Sequence, residues 1–167
     1  MPFSPRSPAP DGLPQLFPME VANVLSRASW LQRAALEGNK PFLLRGKHLG
    51  LLCETPPDEA QALFRSAAEE LGARVSTVRP GLSLASAPQE VKDTSIMLGR
   101  LYDAAECKGL DEVLVQRIRQ YAGIPIFEGG ARKEHAVDRV AELLGDSTCP
   151  ADNRRFVLQA LLLEAIL

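Results

Sequence analysis

Six consecutive residues, His48-Leu49-Gly50-Leu51-Leu52-Cys53, form a short, largely apolar run that does not alternate with polar positions. Such a run suits a strand, and the lack of alternation requires cover on both faces, as in a parallel sheet held between helices. The flanking segments supply those helices. Upstream, Val21, Val24, Leu25, Ala28, Leu31 and Ala35 recur at helical spacing and Gly38 follows as a stop, so a helix is expected over 18–36. Downstream, Ala60, Leu63, Phe64, Ala67, Ala68 and Leu71 share one face of a helix expected over 56–71, with Gly72 ending it.

The alternation continues along the chain. Residues 74–78 read as a second strand, and 79–88 as a Pro/Gly/Ser-rich loop long enough to suggest a function or an interface. A helix over 89–102 aligns Val91, Thr94, Leu98 and Leu101. Strands are expected at 104–106 and 124–127, separated by a helix that aligns Leu110, Leu114, Ile118 and Tyr121. Two helices, over 134–144 and 152–167, complete the pattern. Strands alternating with helices at this pitch predict an α/β fold, a doubly wound parallel sheet of about four strands flanked by helices in a single domain. The organisation expected is a disordered Pro/Ser-rich tail over 1–12, an α/β domain over 13–144, a short link over 145–150 and a terminal helix over 151–167 packing on the same domain.

A chain of 167 residues with a net charge of -2 suits one core, and its overall charge gives no reason to expect nucleic acid or an anionic membrane as partner. Cys53, Cys107 and Cys149 are odd in number and lack paired spacing, which points to reduced thiols in a cytoplasm rather than to a disulfide scaffold or a metal site. No secretory signal is read at the start. The apolar stretch 156–167 is shorter than the roughly 20 residues of a spanning helix and is interrupted by Glu164, so a core helix is expected.

The residues carry a resemblance as well as a pattern. Residues 44–54, Leu-Arg-Gly-Lys-His-Leu-Gly-Leu-Leu-Cys-Glu, resemble the first strand of ornithine carbamoyltransferases. The likeness continues through Ala67 to Val75, Val91-Lys92-Asp93-Thr94, Leu98 to Asp103, and Tyr121 to Ile126. In this order and spacing they resemble the carbamoyl-phosphate-binding domain of the ornithine and aspartate carbamoyltransferase family. Ala151-Asp152-Asn153-Arg154-Arg155 and the apolar helix after it resemble the family's final helix, which returns from the second domain to the first. The resemblance therefore implies that residues 145–150 stand in place of the whole amino-acid-binding domain. A separate domain can be lost in this way while the first keeps both helices that pack on its sheet.

In that family a Ser-Thr-Arg-Thr-Arg motif grips the phosphate at a helix N-terminus, where unpaired N–H groups, the helix dipole and guanidinium forks favour an anion. Here the same place reads Pro57-Asp58-Glu59-Ala60-Gln61. Pro56 and Pro57 are expected to remove donors from the first turn, while Thr55 and Asp58 cap it from within. Asp58 and Glu59 each repel a dianion about 5 Å away by roughly 3 kcal/mol per pair of unit charges at an effective dielectric near 20. The family's His-Pro-Cys-Gln motif is reduced to His135-Ala136-Val137-Asp138. Lys108 stands where an arginine is expected, keeping charge without the planar fork, and Ala87-Pro88-Gln89 lacks the family's loop lysine.

The expectation is a catalytically inactive carbamoyltransferase-like domain with no cofactor. By family analogy it forms a homo-oligomer, a trimer, and serves as a binding or regulatory module in arginine or amino-acid metabolism. A full-length carbamoyltransferase is the partner the resemblance suggests. The rival is a ligand sensor or related enzyme with a rebuilt site around Lys108 and His135, with Ser83 or Ser86 contributed by the loop. A lone histidine near a helix start is more often structural, however, and Asp58 with Glu59 reads better as first-turn dipole compensation than as an acid/base pair. Cys53, in a buried strand, reads as an inert thiol.

Overall fold

The computed structural model describes residues 18–54, 56, 58–128 and 136–167. Helix α1 (Pro18–Leu36) precedes strand β1 (His48–Cys53), followed by α2 (Glu59–Glu70), β2 (Arg74–Val78), α3 (Pro88–Leu101), β3 (Ala104–Lys108), α4 (Glu112–Ala122), β4 (Ile126–Glu128), α5 (Ala136–Glu142) and α6 (Pro150–Ile166). The four strands are all parallel, in the order β2-β1-β3-β4. The expected α/β, doubly wound, four-stranded fold is therefore the observed one. The tail over 1–12 lies outside the described residues.

Two separate cores explain why β1 does not alternate. Leu49 and Leu51 face a cluster built with Phe64, Ala67 and Ala68 of α2 and Phe156, Val157 and Leu158 of α6. Leu52 faces the other way, toward Val91 and Leu98 of α3 and Leu114 and Ile118 of α4. The chain runs from β1 to β2 in one direction, then crosses back over β1 to reach β3. Because such crossovers are right-handed, reversing direction moves the helices to the opposite face. Hence α2 lies on one face and α3 and α4 on the other, and the reversal leaves a crevice between the C-terminal ends of β1 and β3.

Helix α6 is the hub of the first face. Eight of its residues are buried, from Asn153 to Leu163, and it packs on α1, α2 and α5. This is the core helix expected from the apolar stretch, and among the described residues no helix is long and apolar enough to cross a membrane. Gln159 Nε2 donates to the Ala67 carbonyl at 3.1 Å, Arg155 Nε meets Glu70 at 2.7 Å, and Arg27 meets Glu164 at 2.8 Å, fixing α6 to α2 and α1. The turn into α6 is held by side chains. Asn153 Nδ2 donates to the Gly145 carbonyl at 2.9 Å, Gln32 Nε2 donates to Thr148 Oγ1 at 3.0 Å, and Thr148 donates to Asn153 Oδ1.

Several expected details shift. Pro150 opens α6 and α5 ends at Glu142, so the connection comprises residues 143–149 rather than 145–150. Ala34, not Ala35, lies in the core face of α1. In α3 the buried face is Val91, Ser95 and Leu98, with Leu101 55% exposed; in α4 Val115 and Ala122 take the inward place expected for Tyr121. The shared cause is the α3–α4 contact. A Cβ on Gly99 would lie 1.8 Å from the Ala122 carbonyl oxygen, so the two backbones nearly touch there and side chains flanking the approach turn outward.

Candidate functional site

The crevice is bounded by the last residues of β1 and β3, where Cys53 and Lys108 are register partners, and by the N-terminus of α2. A crevice at this reversal, faced by a helix N-terminus, is the ordinary place for an anion in an open α/β sheet. Here side chains of the chain itself occupy it. Asp58 is the N-cap of α2, in extended backbone conformation, and its Oδ1 accepts from the Gln61 N–H at 3.0 Å. Across the crevice Lys108 Nζ lies 3.3 Å from Asp58 Oδ2 and donates to the Pro56 carbonyl at 2.7 Å.

Partial burial pushes the Asp58 carboxyl up, but the Gln61 N–H and then Lys108 outweigh it, and the group sits below the usual carboxylate range. An ionised carboxylate on the helix end satisfies the donors and the dipole that would attract a bound anion. Lys108, the cation expected to survive from an anion site, has its charge answered by Asp58.

The helix begins later than the sequence suggested. Glu59 is its first residue, so Pro56 lies outside the first turn and strips no donor from it; it contributes its carbonyl to Lys108 instead. Asp58 is the N-cap, while Thr55 and Pro57 lie outside the described residues. Glu59 is exposed in the first turn, Ala60 is half-buried, and Gln61 is 1% exposed. Both polar atoms of the Gln61 carboxamide are buried with no hydrogen-bond partner among the described residues. Nothing in the sequence distinguished this buried amide from a solvated helix position.

Among the described residues of the rival site, Lys108 faces Asp58 and the two serines bond within their own turn. Ser86 Oγ accepts from the Ser83 N–H at 2.9 Å and Ser83 Oγ accepts from the Ala85 N–H at 3.1 Å, so both hydroxyls are engaged in their own turn. Glu54 Oε1 accepts from the Gly81 N–H at 3.1 Å and ties this loop to the end of β1. His135 lies outside the described residues. Cys53 is buried in β1, as expected. Burial first, with Glu128 adding to it, pushes the Cys107 thiol up to about 12, so it is a neutral thiol at physiological pH. Among the described residues no three His, Cys, Asp or Glu side chains group as a metal site.

Fold and site define a doubly wound α/β domain in which an Asp58–Lys108 ion pair joins the N-terminus of α2 to the end of β3 at the switch point. The sequence profile of "Aspartate/ornithine carbamoyltransferase, carbamoyl-P binding domain" matches residues 12–145. The chain belongs to the aspartate/ornithine carbamoyltransferase family through this domain. It is 32% identical over 125 residues to ornithine carbamoyltransferases of Haemophilus influenzae and Actinobacillus pleuropneumoniae, covering 75% of this chain and 37% of each relative. The chain thus spans well under half the length of those relatives. Among solved structures, ornithine carbamoyltransferase from Pyrococcus furiosus superposes with a TM-score of 0.63 at 24% identity, covering 75% of this chain and 40% of that one. The catalytic subunit of M. jannaschii aspartate transcarbamoylase gives 0.60 at 22% identity, covering 76% and 42%. Both are likenesses of fold.

Proposed function

We propose that this carbamoyltransferase-like domain is catalytically silent and acts as an oligomeric binding or regulatory module in arginine or amino-acid metabolism. The observation that carries the reading is the Asp58–Lys108 pair across the mouth of the crevice, with Asp58 capping α2. Positions 57–61 would then be a phosphate site refilled from within. A dianion approaching it meets two carboxylates, at Asp58 and Glu59, and no guanidinium from the helix turn.

The reading extends to the second domain. The connection over 143–149, fastened by Asn153, Thr148 and Gln32, is compatible with a chain that passes directly from the first domain to the returning helix. Assembly as a homotrimer, or as mixed trimers with a full-length carbamoyltransferase, follows by family analogy. Native mass measurement of this chain alone and mixed with such an enzyme tests it; separate monomeric species in both samples reject it.

Catalytic silence is tested by thermal shift and calorimetry with carbamoyl phosphate and inorganic phosphate at millimolar concentration. A ligand present at a hundred times its Kd stabilises by about 2.7 kcal/mol, a shift of several degrees, and the expected result is none. Saturable stabilisation by carbamoyl phosphate overturns the reading in favour of a rebuilt ligand site that includes Lys108.

A further inference from the structure

The near-neutral charge of the sequence hides an uneven distribution. The C-terminal half of α1, the turn after it and the first residue of β2 bring Arg33, Lys40, Arg45, Lys47 and Arg74 toward the end of the sheet opposite the crevice, where β1 and β2 begin. Two contacts hold this arrangement together: Arg74 N–H donates to the Lys47 carbonyl at 2.9 Å, and Leu44 N–H donates to the Leu71 carbonyl at 2.9 Å. Glu37 is the one carboxylate within that stretch of α1 and turn, and among the described residues no ion pair engages any of the five cations. Because the whole chain carries -2, the rest of it is acidic.

The same end is apolar as well as cationic. Trp30 is 47%, Phe42 50% and Leu43 40% exposed. Trp30, Arg33, Glu37, Lys40 and Pro41 line an open cleft of about 430 Å³, and the Arg45 guanidinium lies 5.6 Å from the centre of the Phe42 ring. An aromatic and a proline with two cations on the rim match an aliphatic or aromatic side chain flanked by carboxylates.

We infer that this end is a docking surface for an acidic segment of a partner protein, which inserts one apolar residue into the cleft beside Trp30 and sets its carboxylates against Arg33 and Lys40. Charge complementarity selects the occupant. Residues 1–17 of the chain itself contain one acid, Asp11, and one base, Arg6, so they do not answer the cations. A nucleic-acid backbone or an anionic bilayer would have to seat phosphate against Glu37, whereas a peptide offers that carboxylate its N–H groups. The cleft also suits a single protruding side chain better than a flat lipid surface. This inference stands independently of whether the crevice binds a ligand.

Trp30 is the sole tryptophan, so its emission reports directly on the cleft. The full chain is titrated with a short peptide of glutamates around one leucine, alongside an oligouridine and anionic vesicles. The peptide is expected to change Trp30 emission saturably, with binding weakened several-fold at about 0.3 M salt. Arg33→Glu with Lys40→Glu, both at exposed positions, is expected to weaken it at least tenfold with an unchanged circular dichroism spectrum, while Lys40→Arg preserves it. No saturable change at millimolar peptide, or a change undiminished in the double variant, overturns the inference. So does tighter binding of oligouridine or vesicles, and so does emission that follows protein concentration alone, which would mark a second copy as the occupant.

Discussion

At neutral pH the Asp58 carboxylate accepts from the Gln61 N–H and faces the Lys108 ammonium, and both interactions favour its ionised form. Its folded value therefore lies below the unfolded value of about 3.9, so the stabilisation is fully present above about pH 4 and is lost as pH falls through the folded value. Asp58 is about half exposed, and solvent screening holds the contribution of its charge to less than about 1 kcal/mol. Asp58→Asn keeps an N-cap and removes the charge. We expect it to lower stability in urea at pH 7 by a few tenths to about 1 kcal/mol, and the difference from the parent to be smaller in acid below the folded value than at pH 7. An equal difference at both pH values would show that the cap geometry, not the charge, matters. The sequence pointed to Asp58 as a cap and, through the resemblance, to Lys108 as a surviving cation, but not to their meeting, because that contact depends on the register of β1 against β3.

The helices of the far face teach a different lesson. Counting apolar residues at helical spacing located α3 to within a residue and placed a helix where α4 lies, yet assigned Leu101 and Tyr121 to the core. Spacing cannot say which of two adjacent stripes faces inward, whereas the close approach at Gly99 decides it. Only a residue without a Cβ fits against the Ala122 carbonyl. Gly99→Ala gains helix propensity of up to about 1 kcal/mol but must push away the end of α4 at Ala122. The net result expected is a loss of about 2 kcal/mol or more, read as a lower urea midpoint, with Gly99→Val worse. Gly50, whose Cβ would meet the Tyr102 ring at 3.3 Å, is expected to tolerate alanine better, because a ring edge yields more readily than backbone.

In the whole molecule, one terminal helix completes the core begun by elements far earlier in the chain. Sequence patterning marked 156–167 as apolar; it did not show the hydrogen bonds from Asn153 and Gln32 that orient the helix, since spacing alone does not tell a buried polar side chain from a solvated one. Asn153→Ala leaves the Gly145 carbonyl without that donor and is expected to cost on the order of 1–3 kcal/mol while preserving secondary structure by circular dichroism. The cationic end was equally hidden, because it joins the end of α1, a turn and the start of β2, and a net charge is blind to position. The central place of α6 also bears on the gene. A stop codon anywhere before residue 150 would leave the apolar sides of α1 and α2 bare, so even truncations that spare all four strands should yield protein that clumps or is degraded rather than a smaller working version.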